Sequence, residues 1–150
     1  GSVLNIRRPQ AIRPWQHALE PLAGYLKLAE QLWERPNLAG AYNFGTYTHE
    51  AITVRELISL AREIWGYGEV NLEMGEEGPH ETGWLALEIA RASHVLGITP
   101  RWSVLEALRR SIIWYQCQLN GIGARELCIG DIDAYEADVD KAPVRKIVSR

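Results

Sequence analysis

The run Ile12-Arg13-Pro14-Trp15-Gln16-His17-Ala18-Leu19-Glu20-Pro21-Leu22-Ala23-Gly24-Tyr25-Leu26 constrains this chain most, because it commits one short stretch to a strand that hands directly into a helix. Pro14 bars a helix interior, and Arg13, Trp15 and His17 alternate with Pro14 and Gln16. In an extended strand of period two, those three side chains project from one face and give it a cation, an aromatic plate and an imidazole. Pro21 then sits where a first helical turn tolerates it, and Glu20 places a negative charge at the positive end of the helix dipole. From there Leu22, Tyr25, Leu26, Leu28, Ala29, Leu32 and Trp33 recur at helical spacing until Pro36 marks the stop.

The remaining elements follow the same logic. Val3 to Ile6 is extended in character, so two short strands are expected before the first helix. Ala41 to Gly45, apolar and bounded by glycines, reads as a buried strand of the core sheet. Thr53-Val54-Arg55-Glu56 is a capping box opening a helix that Gly66 closes. Val70 to Met74 has strand character, and Gly75 to Gly83 reads as a loop that could cover a site. Ala90 to Leu96 reads as a short helix stopped at Gly97, and Ser103-Val104-Leu105-Glu106 as a second capping box opening a helix to about Leu119. Short strands alternating with amphipathic helices predict an α/β fold. Residues 1–120 are expected to form the α/β domain, and 121–150, acidic and then basic without clear periodicity, a solvated or partly disordered extension or a segment docking on another subunit.

Composition narrows the class. A chain of 150 residues with 47% hydrophobic residues has the length and apolar content of one ordinary domain. A formal net charge of −3 gives no electrostatic reason to expect nucleic acid as a partner, so an anionic ligand needs a local site. Cys117 and Cys128 form no Cys-x-x-Cys pair, no apolar run reaches the length of a membrane span, and the first residues lack the pattern of a signal peptide. A reducing, cytoplasmic setting without a membrane partner is the expectation. Gly1-Ser2 suits either a cloning scar or a native pair.

The Arg13-to-Leu26 run closely resembles a segment of bacterial CDP-glucose 4,6-dehydratases, which are extended short-chain dehydrogenases acting on nucleotide sugars. The resemblance continues through Ala41-Tyr42-Asn43-Phe44-Gly45, Gly78-Pro79-His80-Glu81 and Leu96-Gly97-Ile98-Thr99-Pro100-Arg101-Trp102 to Trp114-Tyr115. It implies the C-terminal, substrate-binding part of such an enzyme, with the N-terminal Rossmann half as a missing partner and NAD as the cofactor of the whole protein. It also implies the whole reaction, in which CDP-glucose becomes CDP-4-keto-6-deoxyglucose by oxidation at C4, loss of water across C5 and C6, and return of hydride to C6. This sequence contains neither a Gly-x-Gly-x-x-Gly nor a Gly-x-x-Gly-x-x-Gly turn, and no tyrosine has a lysine four positions later. The chain alone is therefore expected to bind no cofactor and to perform no dehydration.

Five residues stand out as candidates for substrate contact. Arg13 aligns with an arginine that related enzymes place against the diphosphate, a role suited to a planar guanidinium fork; the alternative is a strand arginine paired with a carboxylate. Trp15 stacks on a base or sugar, or packs in the core. His17 hydrogen-bonds the nucleotide or ties its strand to the backbone. His80 and Glu81 match a Pro-His-Glu motif that the family carries near the nucleotide, or else face water in a turn. Asn43 reads as a backbone-capping amide, and Glu76 and Glu77 as solvated loop carboxylates. Where the family tends to have Asp followed by Ser-Lys-Ala, this chain has Glu88-Ile89-Ala90-Arg91-Ala92, which keeps the charge but removes a hydroxyl.

A second reading is a non-catalytic nucleotide-sugar-binding or assembly module, with homo-oligomerisation through apolar faces once covered by the absent half. Hydrolase or metal chemistry has no support, since there is no Gly-x-Ser-x-Gly elbow and no ligand cluster at metal spacing.

Overall fold

The computed structural model describes residues 2–72 and 83–138. Among these described residues, two small sheets and four α-helices form a mixed α/β unit. Strand β1, Leu4–Asn5, pairs in parallel with β4, Val70–Asn71, and β2, Ile12–Arg13, pairs antiparallel with β3, Ile52–Thr53. On the other side of β2, Trp84 bridges Ile12 in parallel, with Ile12 N–H donating to Gly83 O and Leu85 N–H to Ile12 O. β2 is thus held from both sides, which fixes the segment leading into the first helix.

Helix α1 spans Leu19–Glu34, starting two residues before Pro21. Its first residue is tied to the imidazole two positions earlier, because Leu19 N–H donates to His17 Nδ1 at 3.3 Å. Pro36 ends it by excluding Arg35 from the helical region, and Arg35 sits at φ −131°. Gly24 is buried against the Phe44 ring, where an added Cβ would lie 2.8 Å from ring carbons. Gln31 Nε2 ties the same face to Leu96 O at 2.8 Å.

Helix α2, Val54–Trp65, opens with the complete reciprocal box expected of Thr53 and Glu56 and closes at Gly66 in the left-handed region at φ +96°. Ala92–Leu96 forms a π-helical turn, with residues 90–91 helical before it, and Gly97 closes it at φ +67°. Helix α3, Val104–Leu119, packs chiefly on α2. Only half of its capping box forms: Ser103 Oγ accepts from Glu106 N–H, while the Glu106 carboxylate turns to Arg110 Nε at 2.7 Å. An ion pair one turn along outcompetes the reciprocal cap. The buried apolar core is small and consists of Ala11, Leu57, Ala92, Leu96, Trp102, Val104, Ala107 and Tyr135.

Three expectations are corrected. Ala41–Gly45 is not a strand: its contacts come from side chains, with Gln16 Nε2 donating to Phe44 O and Asn43 Nδ2 to Glu88 O. Apolar strand propensity needs a neighbouring ladder, and the described residues offer none there. Beyond Gly121, residues Ala124–Ala137 form helix α4, which turns back after a left-handed Gly121 and buries Tyr135. Its stability comes from anchoring side chains rather than from an apolar stripe, so periodicity did not reveal it. Finally, β2 stops at Arg13, where Trp15 N–H donates back to Arg13 O at 3.0 Å, so strand alternation does not carry Trp15 and His17 onto the face of Arg13. The strand expected over Val70 to Met74 covers Val70–Asn71, and residues 73–82 and 139–150 lie outside the described residues.

Candidate functional site

The hand-over from β2 to α1 gathers the candidate residues. Arg13 lies half-buried on β2, and its Nη1 donates to Ile12 O at 2.9 Å. Trp15 follows at the turn, half-buried, with an Nε1–H that is enclosed yet has no hydrogen-bond partner. Gln16, which the sequence reading did not select, spends its amide N–H on Phe44 O at 3.1 Å and leaves its Oε1 buried and unpartnered. An enclosed polar atom without a partner costs about 1–3 kcal/mol, so each of these two atoms has hydrogen-bonding capacity unused by the described residues. No periodicity or motif signals Gln16; only the geometry does.

His17 has a separate set of contacts. Its ring meets Trp102 edge-on at 4.9 Å between centroids, and its Nε2 lies 3.8 Å from Asp131 Oδ2. Burial pulls its pKa below the usual 6.5, an effect that outweighs the attraction of the Asp131 carboxylate. The ring is therefore neutral at pH 7. Because Nδ1 accepts from Leu19 N–H, the proton resides on Nε2.

A polar and aromatic cluster beneath His17 holds the surrounding elements together. Glu20 is only 6% exposed, and its carboxylate accepts from Arg101 N–H at 3.1 and 3.2 Å, from Trp102 N–H at 2.7 Å and from Tyr135 Oη–H at 2.8 Å. Burial and the adjacent Glu20 charge push the Tyr135 hydroxyl well above its ordinary range, so it serves as a fixed donor. Arg101 stacks over the Tyr135 ring at 4.4 Å and donates to Tyr135 O at 3.0 Å. Trp102 Nε1 donates to Asp138 Oδ2 at 2.7 Å, and Arg110 lies 4.2 Å over the Trp102 ring while bridging Glu106 and Asp131. The carboxylate at the head of α1 thereby fastens α4 to the rest of the unit.

Of the five candidates, Arg13 and Trp15 belong to the hand-over itself, and His17 belongs to a neighbouring cleft. His80 and Glu81 lie outside the described residues. Asn43 binds a backbone carbonyl, as a capping amide does. Glu88 Oε1 accepts from Ala90 N–H at 2.7 Å, a local cap at the place where the family pattern is altered. The sequence contains no glycine-rich dinucleotide turn of the Gly-x-Gly-x-x-Gly kind and no Tyr-x-x-x-Lys pair.

The sequence is 38% identical over 117 residues to CDP-glucose 4,6-dehydratase of Salmonella typhimurium strain LT2, a match covering 77% of this chain and 33% of that protein. The chain spans about a third of the length of that relative. The fold matches a crystal structure of UDP-galactose 4-epimerase with a TM-score of 0.57 and 16% identity, over 74% of this chain and 34% of that one. No protein-family model matches the sequence. The chain shares the fold of the matched part of that epimerase. In sequence it is similar to a C-terminal portion of CDP-glucose 4,6-dehydratase.

Proposed function

We propose that this chain is the nucleotide-sugar-binding portion of a CDP-glucose 4,6-dehydratase-like enzyme and is inactive by itself. The observation that carries this reading is the β2–α1 hand-over. There the Arg13 guanidinium is followed by a buried Trp15 Nε1–H and a buried Gln16 Oε1 with no partners of their own. A nucleotide sugar whose diphosphate faces Arg13 carries sugar hydroxyls that can accept from Trp15 Nε1–H or donate to Gln16 Oε1. His80 and Glu81 are further contacts implied by the Pro-His-Glu resemblance. The unit expected over 1–120 extends through α4, because Tyr135 and Asp138 are anchored to Glu20 and Trp102. NAD and the proton-transfer pair belong to the portion of the relative that this chain does not match. Free Cys117 and Cys128 suit a reducing cytoplasm.

Calorimetric titration with CDP-glucose tests the site. Wild-type chain binds, and Arg13→Ala weakens binding roughly ten- to hundredfold, on the order of one charge-assisted contact. Equal affinity in a folded Arg13→Ala variant overturns the role of Arg13.

The assembly reading draws on α1. Opposite the Gly24 and Gln31 face that packs on Phe44 and Leu96, the helix exposes Leu22, Leu26 and Trp33, the last two at 74% and 90%. A helix that is apolar on opposite sides is built to lie between two layers. The dinucleotide-binding half is the proposed second layer, and a second copy of this chain is the alternative. Concentration-dependent association in sedimentation, abolished by Leu26→Lys with Trp33→Lys, supports a homo-oligomer through this stripe; a monomer at all concentrations removes it.

A further inference from the structure

A cleft of about 410 Å³ opens between α1, α3 and α4. Leu19, Leu22, Trp114, Tyr115 and Ile132 give it apolar walls, and Cys128 lies along its α4 side. Leu22, Tyr115 and Ile132 are 52%, 57% and 42% exposed, so the described residues leave much of this apolar surface uncovered. The course of the chain brings a candidate cover to its rim. Asp138 accepts from Trp102 Nε1 at 2.7 Å, the Trp102 ring meets His17 edge-on at 4.9 Å, and His17 lines the cleft. Asp138 also follows Ile132 by six residues, about 9 Å along a helix. The chain therefore leaves α4 beside the His17 end of the cleft. Residues 139–150 span up to roughly 40 Å when extended, several times the distance they need to reach it.

We infer that this cleft is the docking site of the chain's own segment 139–150, with Val144, Ile147 and Val148 as the groups that fill it and the segment's basic residues as the charges that meet α4. Composition matches the surface on both counts. Val144, Ile147 and Val148 form the apolar part of a stretch otherwise rich in charge. Lys141, Arg145, Lys146 and Arg150 against Asp140 give the segment +3, and with −3 on the whole chain this leaves −6 on residues 1–138. Much of that negative charge stands next to the cleft. Helix α4 carries Glu126, Asp131, Asp133 and Glu136 against Arg125 alone. Asp131 lines the cleft itself, and exposed Glu136 follows Ile132 at the i, i+4 spacing that puts both on one side of the helix. Opposite charge therefore adds to apolar burial at the same place. Tethering decides between this occupant and a separate partner of equal affinity, because a segment joined this closely acts at an effective concentration on the order of millimolar. The inference does not depend on the nucleotide-sugar reading.

Cys128 reports whether the cleft is covered. In the full chain carrying Cys117→Ser, Cys128 is the one remaining thiol, and its reaction with iodoacetamide is followed by mass spectrometry. The comparison chain adds Val144→Ser, Ile147→Ser and Val148→Ser. These changes keep every charge of the segment, so the difference reads seating rather than the thiol's electrostatics, and they lie outside the described contacts that hold the fold. Cys128 is expected to react about tenfold faster in the serine variant, as it does when a cover present about nine-tenths of the time is lost. Equal rates in the two chains overturn the inference. A photo-reactive benzoylphenylalanine placed at position 147 of the full chain then locates the segment. Cross-links within one molecule to peptides holding Leu22, Tyr115 or Ile132 support docking in the cleft. Cross-links to other parts of the same molecule overturn it. Cross-links that join two molecules, and fade on dilution, overturn it too and assign the cleft to a second copy.

Discussion

Replacing Glu20 tests the account of how this unit holds its shape. The carboxylate receives the backbone N–H groups of Arg101 and Trp102 and the hydroxyl of Tyr135, all within 3.2 Å, from a position almost closed to solvent. Hydrogen bonds to a charged group contribute about 1.5–3 kcal/mol each, but burying the charge offsets part of that gain and the three bonds act as one network. Glu20→Ala leaves three donors without an acceptor and opens a void, so a loss of about 3–5 kcal/mol is expected. Glu20→Gln keeps the shape and one acceptor oxygen, and about half of that loss is expected for it. Against a typical total of about 5–15 kcal/mol, the alanine variant is near the limit of folding. At about 2–4 °C per kcal/mol for a chain of this size, its Tm falls by roughly 10 °C. Urea titration followed by tryptophan fluorescence and far-ultraviolet circular dichroism measures the change, and amide exchange in α4 reports whether Tyr135 has lost its anchor. A loss below about 1 kcal/mol for Glu20→Ala, with α4 still protected, refutes the claim that this carboxylate fastens the helices.

Three further outcomes follow from particular contacts. Gly24→Ala gains helix propensity of about 1 kcal/mol but drives a Cβ to 2.8 Å from the Phe44 ring, so a net loss of about 0.5–2 kcal/mol is expected from denaturant midpoints, and a stabilised variant contradicts the packing. His17 has a folded-state pKa below 6.5, so the unfolded chain binds the extra proton more readily; stability is full above about pH 6.5 and falls as the pH drops below it. His17→Gln flattens that slope, whereas an unchanged pH profile assigns the titration elsewhere. Thr53→Ala removes a complete capping box at the start of α2 and is expected to cost about 1 kcal/mol by thermal melting, with no effect on nucleotide affinity.

Much of this fold was legible because local chemistry decided it. Thr53 with Glu56 and Gly66 bounded α2, Pro36 ended α1, and Gly97 closed the turn at Ala92–Leu96. Elements that depend on distant partners were not legible. Ala41–Gly45 has strand composition but no ladder among the described residues, and α4 lacks an apolar stripe because Tyr135, Asp131 and Asp138 hold it through Glu20, Arg110 and Trp102. Ser103 and Glu106 spelled a capping box, yet Arg110 one turn later captured the glutamate. Sequence and resemblance singled out Arg13 and Trp15, which the structure sets at the β2–α1 hand-over. Gln16 was not, since an unpartnered amide oxygen shows only once its neighbours are in place. His17 was visible as a residue, but its direction was not, because a turn at Trp15 broke the alternation that would have aimed it.

The most direct test of the central claim is a side-by-side calorimetric titration of the 150-residue chain with CDP-glucose and with NAD, after sedimentation has fixed its state of association. The account predicts saturable binding of CDP-glucose and none of NAD. Binding of NAD, or no binding of CDP-glucose by a folded chain, contradicts it.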